Sequence, residues 1–210
     1  MLNRKVTALK SWGKHFIICF DSFFVRIHFL MYGSYRINER KKGIPTRLSL
    51  KFKNGELNLY SCSVKIVEAD FYSIYDDEIN VMSDKWNRRK AIRTLEKLNK
   101  KVRVCDALLD QAIFAGVGNI IKNEVLFRIQ VNPGSFVSAL PTDKLKELVT
   151  EARNYCFDFY RWKKKYELKK HWQVYKQKIC PRDNIAFVRK YMGNTHRLTF
   201  YCRRCQKLYK

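Results

Sequence analysis

The chain contains 210 residues, and its 43 Lys and Arg residues against 19 Asp and Glu residues give a formal net charge of +24. This excess favours a polyanion, and in particular a nucleic acid, over the alternative of a basic surface that is simply solvated. No apolar stretch reaches the roughly 20 residues of a transmembrane helix, and the N-terminus lacks the apolar block of a signal peptide, so we expect no membrane partner.

Two β-hairpins are predicted in the first third of the chain. Phe16, Ile18 and Phe20 alternate before a turn at Asp21-Ser22, and a second alternating run from Val25 to Phe29 follows it, which is the period of a half-buried strand. A second hairpin is predicted around Asn54-Gly55, since this pair favours a type I′ turn. Four strands of this kind make much of a small sheet.

The pattern becomes helical from about Asp84. We predict helices over residues 86–98, 107–115 and 120–127, and a longer amphipathic helix capped by Thr142. The apolar positions of this last helix repeat at helical spacing: Leu145, Leu148, Val149, Ala152, Cys156 and Phe159. The fold class is therefore α+β, with domains at residues 1–80, 81–165 and 166–210.

The stretch FAGVGNIIKNEVLF, residues 114–127, stops one predicted helix and starts another. Asn119 suits an N-cap, and Gly116 and Gly118 carry no side chain that keeps a phosphate away from the backbone at the helix start. On spacing alone, however, such a turn is more often a plain connector than a phosphate site.

Seven cysteines form an odd set, and four of them lie singly in apolar surroundings, which indicates reduced thiols in a cytoplasmic protein. The others belong to Cys180-Pro-Arg-Asp183 and to Cys202-Arg-Arg-Cys205, which flank a predicted hairpin with its turn at residues 192–194. Paired knuckles of this spacing bind a tetrahedral Zn²⁺ ion. We predict zinc ligands at Cys180, Asp183, Cys202 and Cys205; His196 in place of Asp183, or a metal-free hairpin, are the alternatives.

The string LLDQAIFAGVGNIIKNEVLFR, residues 108–128, closely resembles the helix–two-turn–helix signature of the formamidopyrimidine-DNA glycosylase / endonuclease VIII family of base-excision repair enzymes. The resemblance implies that Asn119 binds the phosphodiester backbone near the lesion. It also implies that Glu124 has a packing or supporting role in the helix that follows. The C-terminal segment RLTFYCRRCQ is similar to the zinc-finger hairpin of the family. By this likeness Arg197 contacts the phosphate of the damaged nucleotide and takes part in the second elimination step.

Two N-terminal stretches resemble the same family. In SWGKHF the resemblance assigns to Lys14 a backbone contact beside the lesion and a link to β-elimination. In HFLMYG it makes Met31 the wedge that fills the gap left by the everted base, with His28 near the same phosphates. Without the resemblance, Met31 and His28 are read as core residues and Lys14 as a solvated lysine.

The family's chemistry depends on an N-terminal Pro-Glu, whose secondary amine attacks the deoxyribose. The present chain begins Met1-Leu-Asn-Arg-Lys, and its four prolines are internal. Either the sequence starts inside a longer reading frame, or the protein has lost the nucleophile and only binds DNA. Since apolar strands such as Phe16–Phe20 have not become polar, we favour the first explanation.

The resemblance therefore implies an incomplete N-terminal β-sandwich, a helical domain with the helix–two-turn–helix motif and a C-terminal zinc-finger-like β-hairpin. The implied function is that of a monomeric DNA glycosylase and AP lyase that acts on oxidised bases, with Lys14 and Arg197 as catalytic residues. Its expected partner is double-stranded DNA containing damaged bases or abasic sites. The alternative is a non-catalytic DNA- or RNA-binding protein that keeps the same phosphate contacts.

Overall fold

The computed structural model describes residues 4–210 in two compact units, one ending at Asp76 and the other comprising Asp77–Lys210. The chain start Met1-Leu-Asn, to which the expectation about the Pro-Glu nucleophile refers, lies outside the described residues. The predicted helical domain and the predicted C-terminal hairpin fall within the same second unit.

The first unit is a five-stranded antiparallel sheet in the order β1-β2-β3-β5-β4. Both predicted hairpins are confirmed, with Ile18 opposite Val25 in one and Phe52 opposite Gly55 in the other. The strands are β1 Ala8–Trp12, β2 His15–Cys19, β3 Phe24–Ile37, β4 Leu48–Phe52 and β5 Gly55–Val67.

The second hairpin turns one residue earlier than predicted, because Gly55 already belongs to β5. The side chain of Asn38 explains this position. Its Oδ1 accepts the backbone N–H of Glu56 at 2.8 Å and would lie only 2.3 Å from a Cβ on Gly55. Glycine is therefore needed for close approach rather than for the turn itself.

The sheet buries residues on both faces, which explains the almost continuous apolar run of β2. On one face Ile18, Val25 and Ile27 form a core cluster. On the other, Ile17 and Phe24 are buried, and Phe24 contacts aromatic rings from the short helix α1, Phe71–Ile74, and the residue that follows it. Asp70 caps α1 by accepting two backbone N–H groups.

The second unit packs four helices around one large core, and a second cluster that contains Phe127, Phe200 and Cys202 lies under a β-hairpin. The predicted apolar positions of the long helix are buried or packed against this core. The elements are α2 Arg88–Glu96, α3 Val104–Ala107, α4 Asn119–Arg128, α5 Thr142–Lys164, β6 Val188–Met192 and β7 Arg197–Tyr201, with 3₁₀ turns at Val137–Ala139 and Leu168–His171.

Two details of the helix prediction are wrong. The predicted helix over 107–115 is a series of turns after α3, because side chains there bind the backbone in place of helical partners; Asp110 Oδ1, for example, accepts the N–H of Ala112 at 2.9 Å. Thr142 is the first residue of α5, and the cap position belongs to Pro141, whose carbonyl accepts the N–H of Leu145 at 2.9 Å.

All seven cysteines are free of disulfide bonds, and the four scattered ones are buried as predicted. Within residues 4–210, none of the helices combines the length and the apolar composition that are needed to cross a bilayer.

Candidate nucleic-acid interface

The turn before α4 is closed by the side chain of Gln111. Its Nε2 donates to the carbonyl oxygens of Leu109 at 2.8 Å and Val117 at 3.1 Å, and its Oε1 accepts the N–H of Gly116 at 3.1 Å. Gly116 has a φ of 106°, in the region that favours glycine. One amide thus supplies the partners that a continuous helix would otherwise supply. The sequence analysis missed this residue, although Gln111 lies inside the stretch that carries the resemblance.

Asn119 is the first residue of α4 rather than its N-cap, which is Gly118. The predicted capping role is therefore wrong, and the reason is that the side chain is used elsewhere: Nδ2 donates to the carbonyl oxygen of Leu198 in β7 at 2.9 Å. A carbonyl only accepts, so the nitrogen must be the atom that faces it. The second Nδ2 hydrogen and the unpaired N–H groups of a first helical turn are the donors that an anion can use here.

Three side chains in the first turns of α4 bind three consecutive residues of β7. Besides Asn119 to Leu198, Lys122 Nζ donates to Thr199 Oγ1 at 2.7 Å, and Asn123 Oδ1 accepts the N–H of Phe200 at 2.8 Å. We call this set of contacts the α4–β7 lock. Arg197, which is exposed, directly precedes Leu198, whose carbonyl oxygen accepts the hydrogen bond from Asn119. The structure therefore brings Asn119 and Arg197 together.

Lys122 is fully buried, and burial lowers the pKa of its ammonium group from 10.5 to about 8, with the charge of Arg197 acting in the same direction. Lys122 only donates, so Thr199 must accept from it. The Thr199 hydroxyl then donates its own proton to the carbonyl oxygen of Arg197 at 2.9 Å. This chain of two hydrogen bonds fixes the backbone from which the Arg197 side chain projects.

Glu124 is buried on another side of α4 and holds the segment that leads to the hairpin. Its carboxylate accepts the backbone N–H groups of Gln173, Val174 and Tyr175 at 2.8 to 3.2 Å. Burial raises the pKa of Glu124, while these N–H donors favour the charged form. The predicted packing or supporting role of Glu124 therefore consists of ordering three consecutive backbone amides with one carboxylate.

The four predicted metal ligands meet in one cluster, with their ligand atoms all within 4.8 Å of one another. Asp183 Oδ2 lies 3.0 Å from Cys202 Sγ and 3.7 Å from Cys180 Sγ, and Cys180 Sγ lies 3.9 Å from Cys205 Sγ. Asp183 rather than His196 completes the set, because His196 lies in the hairpin turn and stacks on Tyr191. Three thiol groups and one carboxylate at these separations can hold a metal ion.

The protein frame holds this cluster against α4. The guanidinium of Arg182 donates to the carbonyl oxygen of Phe127 at 2.8 Å and to Cys205 Sγ at 3.6 Å. Burial raises the pKa of the Cys205 thiol to about 12, so a bound cation is what would keep this sulfur as a thiolate at neutral pH. The cluster and the α4–β7 lock therefore constrain the same hairpin.

Lys14 and His28 lie close together in the first unit. Lys14 is exposed in the tight turn between β1 and β2, and His28 is paired in register with the neighbouring His15, with ring centroids 5.5 Å apart. Burial, followed by the charges of Lys14 and Arg26, lowers the pKa of His28. His28 is thus a neutral imidazole at pH 7, beside two cations.

Met31 lies on a bulge of β3. The pairing of β3 with β5 jumps from Phe29 opposite Cys62 to Ser34 opposite Tyr60, so residues 30–33 face one residue only. Gly33 is required there, because a Cβ would come within 2.7 Å of the Phe29 backbone. The bulge leaves Met31 78% and its neighbour Tyr32 82% exposed, which contradicts a core role for Met31.

The family model described as the formamidopyrimidine-DNA glycosylase H2TH domain matches residues 80–156. The fold is that of DNA glycosylases: a viral DNA glycosylase superposes with a TM-score of 0.82 at 18% identity, over 97% of this chain and 86% of that one. The Lactococcus lactis formamidopyrimidine-DNA glycosylase, bound to DNA containing an AP site, gives a TM-score of 0.79 at 19% identity, over 97% and 82%.

Two curated relatives carry the similarity to a particular family. Endonuclease 8-like 3 of Xenopus laevis is 33% identical over 95% of this chain and 34% of its own length. Endonuclease 8-like 2 of Bos taurus is 32% identical over 87% of this chain and 58% of its own length. The chain thus spans between about a third and three fifths of these relatives, and it is similar in sequence to the formamidopyrimidine-DNA glycosylase / endonuclease VIII family.

The buried charge of Lys122 gives a pH-dependent prediction. Because its pKa falls from 10.5 to about 8 on folding, the folded state binds fewer protons than the unfolded chain between these values, and stability rises with pH across that window. The variant Lys122→Met lacks the charge and the rise. We expect the free energy of unfolding of the wild type, relative to Lys122→Met, to increase from about pH 8 to about pH 10 in urea denaturation.

The exposed Lys100 provides the matched control, since Lys100→Met removes a lysine that is not buried. Its difference from the wild type should stay constant over the same range. A constant difference for Lys122→Met as well would show that the Lys122 ammonium is not desolvated in the folded protein.

Proposed function

We propose that this chain forms the DNA-binding part of a base-excision DNA glycosylase and AP lyase that acts on oxidised bases in duplex DNA. The observation that carries the proposal is the α4–β7 lock, in which the Asn119 amide at the start of α4 binds the carbonyl oxygen of Leu198, the residue next to Arg197. The similarity to endonuclease 8-like proteins and the net charge of +24 support it.

In this proposal Asn119 and Arg197 hold phosphates of the damaged strand. An asparagine N–H and the N–H groups of a first helical turn bind a phosphate oxygen without carrying charge. The guanidinium adds a charge-assisted, potentially bidentate contact. Such contacts fix the register of the duplex and do not read its sequence. Arg197 would also stabilise the negative charge on the phosphate that leaves in the second elimination step.

The first unit supplies the groups that act on the everted nucleotide. Met31, on an exposed bulge, is flexible and apolar and would fill the gap in the duplex. Lys14 would contact the backbone beside the lesion, and neutral His28 would donate one hydrogen bond to a neighbouring phosphate. We assign these residues to binding and to positioning the deoxyribose, with Lys14 near the proton that β-elimination removes.

We further infer that the metal is Zn²⁺ and that its role is structural. Three cysteines and Asp183 supply a closed set of four ligands, which suits a structural rather than a catalytic site. A bound ion would tie residue 180 to residues 202 and 205 and thereby stiffen the hairpin that carries Arg197.

The phosphate contacts are tested by affinity for a short duplex that contains a tetrahydrofuran abasic-site analogue. Asn119→Ala and Arg197→Ala should each weaken binding about tenfold, which is the effect of losing one hydrogen bond to a charged group. Arg197→Ala should also reduce the slope of log affinity against log salt by about 1, whereas Asn119→Ala should leave the slope unchanged. Fluorescence anisotropy at several salt concentrations measures both quantities.

Lys100→Ala, in an exposed basic turn after α2, serves as the control for general charge, and thermal melts confirm that each variant is folded. The proposal fails if Asn119→Ala and Arg197→Ala both bind the duplex as tightly as the wild type.

Metal analysis tests the hairpin. Protein purified without chelators should contain about one Zn²⁺ per chain, and Asp183→Ala should lose most of it while Asp183→Cys keeps it. Asp143→Ala, at the start of α5, is the matched loss of a carboxylate outside the cluster. Mass spectrometry measures the metal content, and a metal-free wild type would contradict the inference.

A further inference from the structure

The end of α5 has an unusual residue at the position where helices prefer glycine. Lys165 is the C-cap; the next residue, Tyr166, has a φ of 59° and donates its N–H to the carbonyl oxygen of Lys163 at 3.2 Å. Glu167 N–H donates to the carbonyl oxygen of Trp162 at 2.9 Å. These two bonds form a Schellman motif, in which the left-handed position is usually glycine and sometimes asparagine.

Tyrosine at this position destabilises the motif and gains nothing in packing. A bulky side chain in the left-handed region is strained, and the Tyr166 side chain is 96% exposed. The fold of the second unit therefore does not account for an aromatic ring here. An outlier of this kind points to a contact outside the chain.

The residues around Tyr166 are mostly basic, and they indicate the chemistry of that contact. Lysines at the end of a helix also offset its dipole, but here they continue past the helix on both sides of the ring. Glu167 is the acidic residue of the segment and forms an ion pair with Lys170 at 3.7 Å. Between residues 161 and 178, the exposed basic residues are Arg161, Lys163, Lys164, Lys165, Lys169, Lys170, Lys176 and Lys178.

A second exposed ring accompanies the first. Tyr160 is 50% exposed, and Lys164 Nζ lies 5.4 Å from its ring centroid. The segment is also held in place: Trp162 stacks on His171 with ring centroids 4.1 Å apart and an interplanar angle of 8°, and the Glu124 carboxylate holds the amides that follow. Lysines and exposed tyrosines are thus presented on an ordered frame.

We propose that residues 160–170 form a separate binding surface for single-stranded nucleic acid, with a base stacked on Tyr166 and the flanking phosphates on the lysines. Stacking on an exposed aromatic ring needs a base whose face is accessible, which a single strand offers and an intact duplex does not. The phosphates supply the charge complement of the lysines. The surface shares no residue with the Asn119–Arg197 site, so it stands or falls independently of the proposed duplex function.

The decisive variant is Tyr166→Gly, because glycine suits the Schellman position and should leave the protein at least as stable as the wild type. Its affinity for a labelled oligothymidine of about ten nucleotides should fall about tenfold in anisotropy measurements, while Tyr166→Trp keeps the affinity. Its affinity for the abasic-site duplex should change less than twofold. Unchanged binding of both the oligothymidine and an oligouridine of the same length by Tyr166→Gly, or an equal loss on the duplex, would overturn the proposal.

A charge comparison separates a local surface from the general basicity of the protein. The double variant Lys164→Gln/Lys165→Gln should lose more single-strand affinity than Lys100→Gln/Lys101→Gln, which removes the same charge from another exposed turn. Equal losses would overturn the proposal. An oligouridine of the same length distinguishes the two sources of the strand: a loss on both polymers fits phosphate and base contacts, and a loss on one alone assigns the surface to that polymer.

Discussion

The second unit depends on the hydrogen bonds between α4 and β7. An ordinary helix would present polar side chains to solvent, but in α4 the residues from Ile121 to Phe127 are all buried, including Lys122, Asn123 and Glu124. Burying such groups without partners would cost several kcal/mol. Each is instead satisfied by a segment that arrives from far along the chain. The polar residues of α4 are therefore docking groups, and the hairpin position follows from them.

This constraint also orders the functional groups. The strand β7 begins at Arg197, and the lock starts one residue later, so the backbone of Arg197 is held next to the residue that the Asn119 amide binds. The cysteine and aspartate cluster restrains the opposite end of the same hairpin. The Glu124 carboxylate holds the linker that enters it. In the proposed phosphate site the backbone would therefore be fixed before DNA arrives, which would reduce the ordering cost of binding.

Much of this was predictable from sequence, and the failures have physical causes. Hairpins and the long helix were predicted because alternation and 3.6-residue spacing report burial directly. The clustering of the metal ligands followed from Cys-x-x-Cys spacing. The closing role of Gln111, the lock made by Lys122 and Asn123, and the strained Tyr166 were missed, because each depends on a partner or a backbone angle that no local pattern encodes. Asn119 was predicted wrongly as a cap, since the partner of its side chain lies 79 residues away.

The central claim is that the lock makes Asn119 and Arg197 one phosphate-binding unit. A double-mutant cycle on affinity for the abasic-site duplex tests it most directly, with the wild type, Asn119→Ala, Arg197→Ala and the double variant measured at one salt concentration. We predict a coupling energy of at least about 0.5 kcal/mol, because the two groups act on adjacent phosphate oxygens from a shared frame. Strictly additive losses would show that the two residues act independently and would contradict the account.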